Sequence, residues 1–347
     1  MKRIGHVWEE LVDRDNCDQS ILSAIKRKRK TKFLRHVKDN YKECGEKLQN
    51  ELINGWKPEP TRTKIINEGT DRKERQLLIP SLKDHFVQTA VARVLEKHLA
   101  KRFYFYTCGS LPKRGQTFAV KAVEHYIRTK KPKYCAEADV YHFYKSIKKE
   151  QVMKCLRRVF KDKRFLALNE KILDQMGDGL AIGFTVSHWY AHLVLFFVDE
   201  ALKKNNPSLF LVRFMDNFVM FGSRKRRLHK AVKLLKAKLS EFGLSIKSDW
   251  QVFQIKSRAV KFLSYKMDHT KTVLRKKLMY RMARRFKKAR HNTNAHTART
   301  IMSYRGILKH CDSYTFRCKY MYPNVSIKLC RRLISNADKK RLLCQKA

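Results

Sequence analysis

Apolar and polar residues alternate along this 347-residue chain in patterns that set out an order of elements. Residues 1–60 read as helices, broken by the basic run 26–32 and stopped by Pro58 and Pro60. Residues 61–80 suggest two short strands around a polar turn at 68–74. Residues 84–102 place Phe86, Ala90, Val94 and Leu95 at helical spacing on one face. A basic loop, 109–115, opens a further helix over 116–129. A strand over 136–147 follows, then basic helices to about residue 175. The glycine-bearing turn 176–183 leads into an aromatic helix, 187–202. Residues 210–221 predict a hairpin whose apolar strands flank Met215, Asp216 and Asn217, residue types suited to a tight turn. Next come a helix over 228–242, a strand around 244–252 and a short aromatic strand, 262–265. From Thr270 onward the chain reads as helical and basic, with Leu274, Leu278, Met282 and Phe286 as one apolar stripe. This order is an α+β pattern rather than the regular alternation of a doubly wound sheet.

An apolar content of 43% is enough for two or three packed subdomains at this length. Charge changes the picture more. Lys and Arg total 79 against 31 acids, a formal +48 spread along the whole chain. Such a chain repels itself until a polyanion neutralises it, so nucleic-acid phosphate is the first partner implied, with salt-dependent binding. The run at 26–32 fits a solvated face and an RNA contact equally. An anionic membrane surface also suits such charge. The longest apolar run, 193–198, is however broken by His192 and Asp199, well short of the roughly 18 residues a spanning helix needs. Residues 1–13 lack a signal-peptide core, and no membrane partner is expected. The 9 cysteines are scattered without a CxxC pair, which argues against zinc and for reduced, partly buried thiols.

Two acids then stand out. Asp139 lies in a predicted strand, where aspartate is disfavoured unless something uses it. Asp216 sits at the predicted hairpin tip. Taken singly, the first fits a salt bridge and the second an ordinary turn. Together, on neighbouring strands and with the aromatic Tyr144 beside one of them, they fit a centre for phosphodiester formation with two metal ions about 3.5–4 Å apart. Magnesium accepts a few protein oxygens plus water and phosphate, so two aspartates and a backbone carbonyl can suffice.

Residues 139–147 resemble the first carboxylate motif of reverse transcriptases, and Phe214-Met215-Asp216-Asn217 resembles their tyrosine-x-Asp-Asp hairpin. Residues 179–188 are similar to their third signature, a glycine turn followed four residues on by Ser187. Residues 75–91 and 103–115 resemble the fingers motifs, and 242–267 the closing palm motifs. Order and spacing hold over about residues 60–270. Within the family the chain is most similar to the enzymes of diversity-generating retroelements, whose third signature has an aliphatic residue and glycine where most relatives have glutamine. Ile182-Gly183 fits that pattern, as do residues 243–252 and 262–265.

The resemblance implies a right-hand polymerase: an N-terminal helical extension at 1–60, fingers and palm at 61–268, and a short, basic helical thumb at 269–347. It implies RNA-directed DNA synthesis that copies a template-repeat RNA into cDNA with errors opposite adenine, in the cytoplasm of a bacterial or phage-infected cell. Two Mg²⁺ ions, with Mn²⁺ able to substitute, are the implied cofactors. Implied partners are the template RNA and the cDNA/RNA hybrid, deoxynucleoside triphosphates, and a basic oligomeric accessory variability protein. By matched position, Asp139 and Asp216 are catalytic and hold metal with Val140 and Asn217. Arg75 would hold the incoming triphosphate. Lys113 and Arg114 would assist from the fingers or track template phosphate. Phe143 and Tyr144 would help bind the nucleotide, Tyr144 as the gate against a 2′-hydroxyl. Ile182 and Gly183 would lie against the nascent base pair without the usual amide contact. Lys247 is either a proton donor to pyrophosphate or a surface lysine, and Ser187 caps or packs its helix. Two departures matter: Asn217 replaces the second aspartate, which should lower metal affinity or rate, and His188 replaces a usual glutamine. Two alternatives follow, a catalytically impaired RNA-binding scaffold and an intron- or defence-type reverse transcriptase. Ile182 and the lack of an appended maturase or endonuclease segment argue against the intron type.

Overall fold

The computed structural model describes residues 2–26, 28, 31–68 and 73–343. Four helices come first: α1 (Val7–Val12), α2 (Arg14–Ile25), α3 (Lys32–Asp39) and α4 (Tyr41–Ile53). Asp13 and Thr31 start α2 and α3 by accepting backbone N–H bonds, which satisfies donors the first helical turn leaves open. Strands β1 (Arg62–Glu68) and β2 (Lys73–Ile79) form an antiparallel hairpin, and most of its expected turn lies outside the described residues. Helix α5 (Leu82–Leu99), capped by Ser81, follows.

The centre is built from β3 (Thr107–Cys108), α6 (Gln116–Lys130), β4 (Tyr134–Asp139), α7 (Phe143–Ser146), α8 (Lys149–Val159), α9 (Lys163–Asp174), α10 (Ser187–Asn205), β5 (Phe210–Phe214), β6 (Asn217–Gly222), α11 (Lys225–Ser240) and β7 (Gln251–Gln254). Its five strands run in the order β3-β5-β6-β4-β7, antiparallel except for the β3–β5 pair. Period-two alternation gives each sheet face its own core. Ala136, Ala138, Leu211, Phe218 and Met220 join one core, with residues of α8, α10 and α11. Cys135, Val212, Val219 and Phe221 join the other, with residues of α6. Val7, Leu11, Ile21, Leu48 and Trp56 of the N-terminal region belong to the first core, so those helices pack as part of it.

A second sheet follows, antiparallel, from β8 (Val260–Phe262), β9 (Tyr265–Met267) and β10 (Thr272–Leu274). Pairing of β9 with β10 joins residues on either side of position 268. Helices α12 (Lys276–His291), α13 (Ala295–Leu308) and α14 (Tyr314–Phe316), a π-helical turn at Arg317–Met321 and α15 (Ile327–Leu343) complete the described chain. Phe262, Tyr265, Met282, Phe286 and Ile301 bury together in the second core.

Four local expectations change. The strand expected over 136–147 ends at Asp139, because His142 takes φ 43° and Phe143–Ser146 coil into a single helical turn. The strand expected around 244–252 is confined to Gln251–Gln254; before it, Ile246 bridges Val140 and Lys247 donates its N–H to the Asp139 carbonyl at 2.8 Å. Residues 262–265 are the turn of a hairpin, with Leu263 at φ 52°, rather than one strand. Leu274 belongs to β10, so the buried stripe of α12 is Met282, Phe286 and Ala289. The eight described cysteines are free, five of them buried. No helix among the described residues is long and apolar enough to cross a membrane.

Candidate active site

Register brings the two aspartates together. Pairing of β4 with β6 sets Asp139 opposite Asn217, and the Val140 N–H donates to the Asp216 carbonyl at 3.1 Å. Burial pushes the Asp216 carboxyl above the ordinary range, and the negative charge of Asp139 pushes it further, while Lys247 and Arg75 oppose the shift. Lys247 Nζ lies 3.7 Å from Asp139 Oδ2, with both side chains partly exposed. A half-buried carboxyl raised in part by a neighbouring acid is one that a bound cation would stabilise. The Asp139 and Asp216 carboxylates, the Asn217 amide oxygen and the Val140 carbonyl are hard oxygen donors, which suit Mg²⁺ or Mn²⁺ better than a soft metal. Among the described residues no cluster of three or more His, Cys, Asp or Glu occurs, so water and substrate phosphate would supply further ligands.

The hairpin carrying Asp216 is held from below. Phe214 pairs with Asn217, leaving the two-residue connection Met215-Asp216, and Met215 takes φ 54°, where L-residues seldom sit. Beneath it Arg213 is fully buried. Its Nη1 donates to the Met215 carbonyl at 2.9 Å, while Nε and Nη2 donate to the Asp199 carboxylate at 2.8 and 2.6 Å. The same Nη1 lies 3.2 Å from His192 Nδ1, and His192 Nε2 lies 2.7 Å from the Gly109 carbonyl. A neutral imidazole with its proton on Nε2 satisfies both contacts. Burial first, then the Arg213 charge, holds His192 far below its usual value, consistent with that form. Thr107 adds a hydroxyl bond to Asp199 at 3.1 Å. Gly109, at φ 95°, lies so close that a Cβ there would come within 2.8 Å of Met215 Cγ. The 109–115 loop therefore rests against the hairpin tip.

Other candidates distribute unevenly. Burial pushes the Tyr144 hydroxyl up to about 12, with Asp216 adding to the shift and Arg75 opposing it, so all three share one neighbourhood. Phe143, by contrast, is 5% exposed and packed in the first core. Lys113 is exposed, at φ 58°. Arg114 spends a donor on the Tyr104 carbonyl at 3.3 Å and lies 5.6 Å over the Phe105 ring, so it braces its own loop. The Ile182 carbonyl accepts the Leu78 N–H at 2.9 Å, and Gly183, at φ 120°, sits where a Cβ would strike the Leu78 carbonyl oxygen. Leu180 donates to the Tyr144 carbonyl at 2.8 Å, so this loop links β2 to the turn beside Asp139. Ser187 Oγ donates to the Ala181 carbonyl at 2.6 Å, a packing role. His188 is pushed down to about 4 by burial, which keeps its ring neutral.

Residues 66–267, more than half of the chain, match the family model for reverse transcriptase (RNA-dependent DNA polymerase). The chain belongs to the reverse transcriptase family. The matched span contains both aspartates, the β5–β6 hairpin and the 179–183 loop. Protein YkfC of Escherichia coli (strain K12) is 28% identical over 125 residues, 35% of this chain and 32% of that protein. Telomerase from Candida albicans, solved with a TWJ fragment of telomeric RNA, superposes with a TM-score of 0.50 at 11% identity, over 80% of this chain and 59% of that one. Telomerase from Candida tropicalis, truncated from its C-terminal domain, gives a TM-score of 0.45 at 12% identity, over 67% of this chain and 60% of that one. This reverse transcriptase thus spans about a third of YkfC and about three-fifths of the telomerase chains. Its fold is the α+β right-hand polymerase fold.

The network of Arg213, Asp199, His192 and Thr107 escaped the sequence reading. Its signal was a lone arginine inside an apolar strand and a lone aspartate inside an apolar helix, charges that burial tolerates only when paired.

Proposed function

We propose that this reverse transcriptase is an RNA-directed DNA polymerase that extends a primer on RNA with deoxynucleoside triphosphates. We place it in the diversity-generating retroelement class, copying a template-repeat RNA with errors opposite adenine. One observation carries the catalytic reading: Asp139 and Asp216, far apart in sequence, meet where β4 and the β5–β6 hairpin end side by side, close enough for the Asp139 charge to help raise the Asp216 carboxyl. Two bound divalent ions, Mg²⁺ or Mn²⁺, would supply activation of the primer 3′-hydroxyl and charge neutralisation at the transferring phosphate. The chain's own part is positioning. Asp139, Asp216, Asn217 and the Val140 carbonyl would hold the metals, and Arg75 offers the triphosphate a guanidinium. Tyr144 presents a protonated, half-buried phenol as the gate against a 2′-hydroxyl. Lys247, whose ammonium lies beside Asp139, would donate a proton to departing pyrophosphate. Ile182 offers the nascent base pair a hydrocarbon in place of an amide, a physical reason for loosened copying. Regions 61–268 and 269–347 would act as fingers-palm and thumb, with 1–60 as an extension, in a bacterial or phage-infected cytoplasm. A basic accessory protein would join so basic a chain most readily with RNA between them.

Asn217 favours one second reading, a catalytically impaired scaffold that binds RNA, since an amide lacks the charge of a second carboxylate. Primer extension on RNA with Mg²⁺, comparing the parent with Asp139→Ala and Asn217→Asp and sequencing the products, separates these. We expect product from the parent and a loss of at least about 10³-fold in folded Asp139→Ala. No product from the parent but synthesis by Asn217→Asp would select the scaffold. Errors spread evenly over all four template bases would reject the retroelement class.

A further inference from the structure

Helix α12 carries two stripes. Met282, Phe286 and Ala289 are buried, whereas Arg281, Arg284, Arg285 and Lys288 recur at intervals of three and four on another face. Together with Thr300 and Tyr304, one turn apart on α13, these four line a groove of about 380 Å³. Neither helix contains an acid, and the acids beyond residue 268 are Asp312 and Asp338. Asp338 pairs with Arg299 at 2.6 Å and Asp312 lies 3.5 Å from Arg128, so neither serves the groove. Arg281 Nε is shielded from solvent and has no hydrogen-bond partner among the described residues. Tyr304 is half-buried, edge-on to Phe286 with ring centroids 6.1 Å apart. A merely solvated basic stripe would sit on a convex surface; this one lines a concavity with an aromatic wall.

We infer that this groove takes one unpaired nucleotide of a bound RNA strand. Phosphodiester oxygens meet Arg281, Arg284 and Lys288, and the base lies against Tyr304 and the guanidinium plane of Arg285. Stacking on an aromatic ring and on arginine suits any base, provided it is free of a duplex. The volume lies within the range of small-ligand sites. Four cations one turn apart repel one another until an anion enters. The inference rests on RNA being the partner, as proposed above, and requires no polymerisation.

The test is binding of a labelled RNA single strand to the full chain in EDTA without nucleotides, beside a blunt RNA duplex and an abasic strand. Arg284→Gln/Lys288→Gln should weaken single-strand binding about tenfold more than Lys230→Gln/Lys233→Gln, an equal charge change on exposed positions of α11. It should also lower the salt slope by roughly 1.4, about 0.7 per phosphate contact. Tyr304→Leu should cost about five- to tenfold on the single strand, within the range of one lost base stack. Tyr304→Phe should cost nothing, and the abasic strand should not feel Tyr304→Leu. Should Tyr304→Leu misfold, 4-thiouridine photocrosslinking to the unaltered chain should label the segment from Arg281 to Tyr304. Equal weakening by both charge variants, equal loss on duplex, or crosslinks only elsewhere would overturn the inference. So would inorganic tripolyphosphate displacing the strand by competing at this groove as well as RNA does. A chain that binds in this pattern but extends no primer would count against the polymerase proposal alone.

Discussion

Arg213 and Arg281 bring the same guanidinium to two regions with opposite surroundings. Under the β5–β6 hairpin every arm of Arg213 meets a partner, in Asp199, His192 and the Met215 carbonyl. On α12 the Arg281 Nε finds none among the described residues, and its helical neighbours on that face are further cations. Positive charge beneath the aspartates is thus compensated within the fold, where it positions Asp216. Positive charge along the α12 groove is left for something outside the fold to compensate. A net charge of +48 therefore hides two different uses of arginine.

The contrast breaks most easily at Arg213. Arg213→Leu strands a buried carboxylate and should cost roughly 3–5 kcal/mol in a denaturant melt. Asp199→Leu combined with Arg213→Leu should recover much of that loss. A double variant as unstable as the sum of the singles would show that the pair is not a self-contained unit.

Asp216 gives the next largest effect. Its folded carboxyl is raised above the unfolded value by burial. The stability tied to it is therefore full below the unfolded value and lost as pH rises through the raised folded one. In EDTA at pH 7, Asp216→Asn should melt above the parent, with the gap closing as pH falls into the carboxylate range. Magnesium should reverse the order by binding the parent. A lower-melting Asp216→Asn at neutral pH would remove the account of Asp216 as a carboxyl raised by burial and by its acidic neighbour.

The smallest effect belongs to the C-terminal helices. Arg284→Gln should change stability by no more than roughly 0.5 kcal/mol, and upward at low salt, since it relieves repulsion between neighbours. That gain should fade as salt screens the charges. A loss of several kcal/mol would mean that Arg284 is held inside the fold as Arg213 is.

Much of the frame was legible in the sequence because period and turn chemistry act locally. The β5–β6 hairpin, the helices around it and the existence of a strand carrying Asp139 follow from alternation, glycine and proline, though the end of that strand at Asp139 does not. Long-range pairing was not legible. Phe143 and Tyr144 are adjacent and both aromatic, yet the left-handed His142 and a single helical turn send one into the core and leave the other beside Asp216. Residues 244–250 look like a strand, but Ile246 and Lys247 dock by backbone onto Val140 and Asp139, which no local pattern announces. Asp199 and His192 read as interruptions of an apolar run, because the arginine that explains them arrives on a different element.

The junction between β2 and the 179–183 loop reaches beyond architecture. Leu78 is tied to Ile182 by one amide contact, and the bare α-carbon of Gly183 lets the two backbones touch. The arm bearing Arg75 and the floor on which a new base pair would rest therefore form one mechanical piece. With the roles proposed above, any tilt of that arm would be felt beneath the pair, and capture of a nucleotide and judgement of its fit would share a single lever.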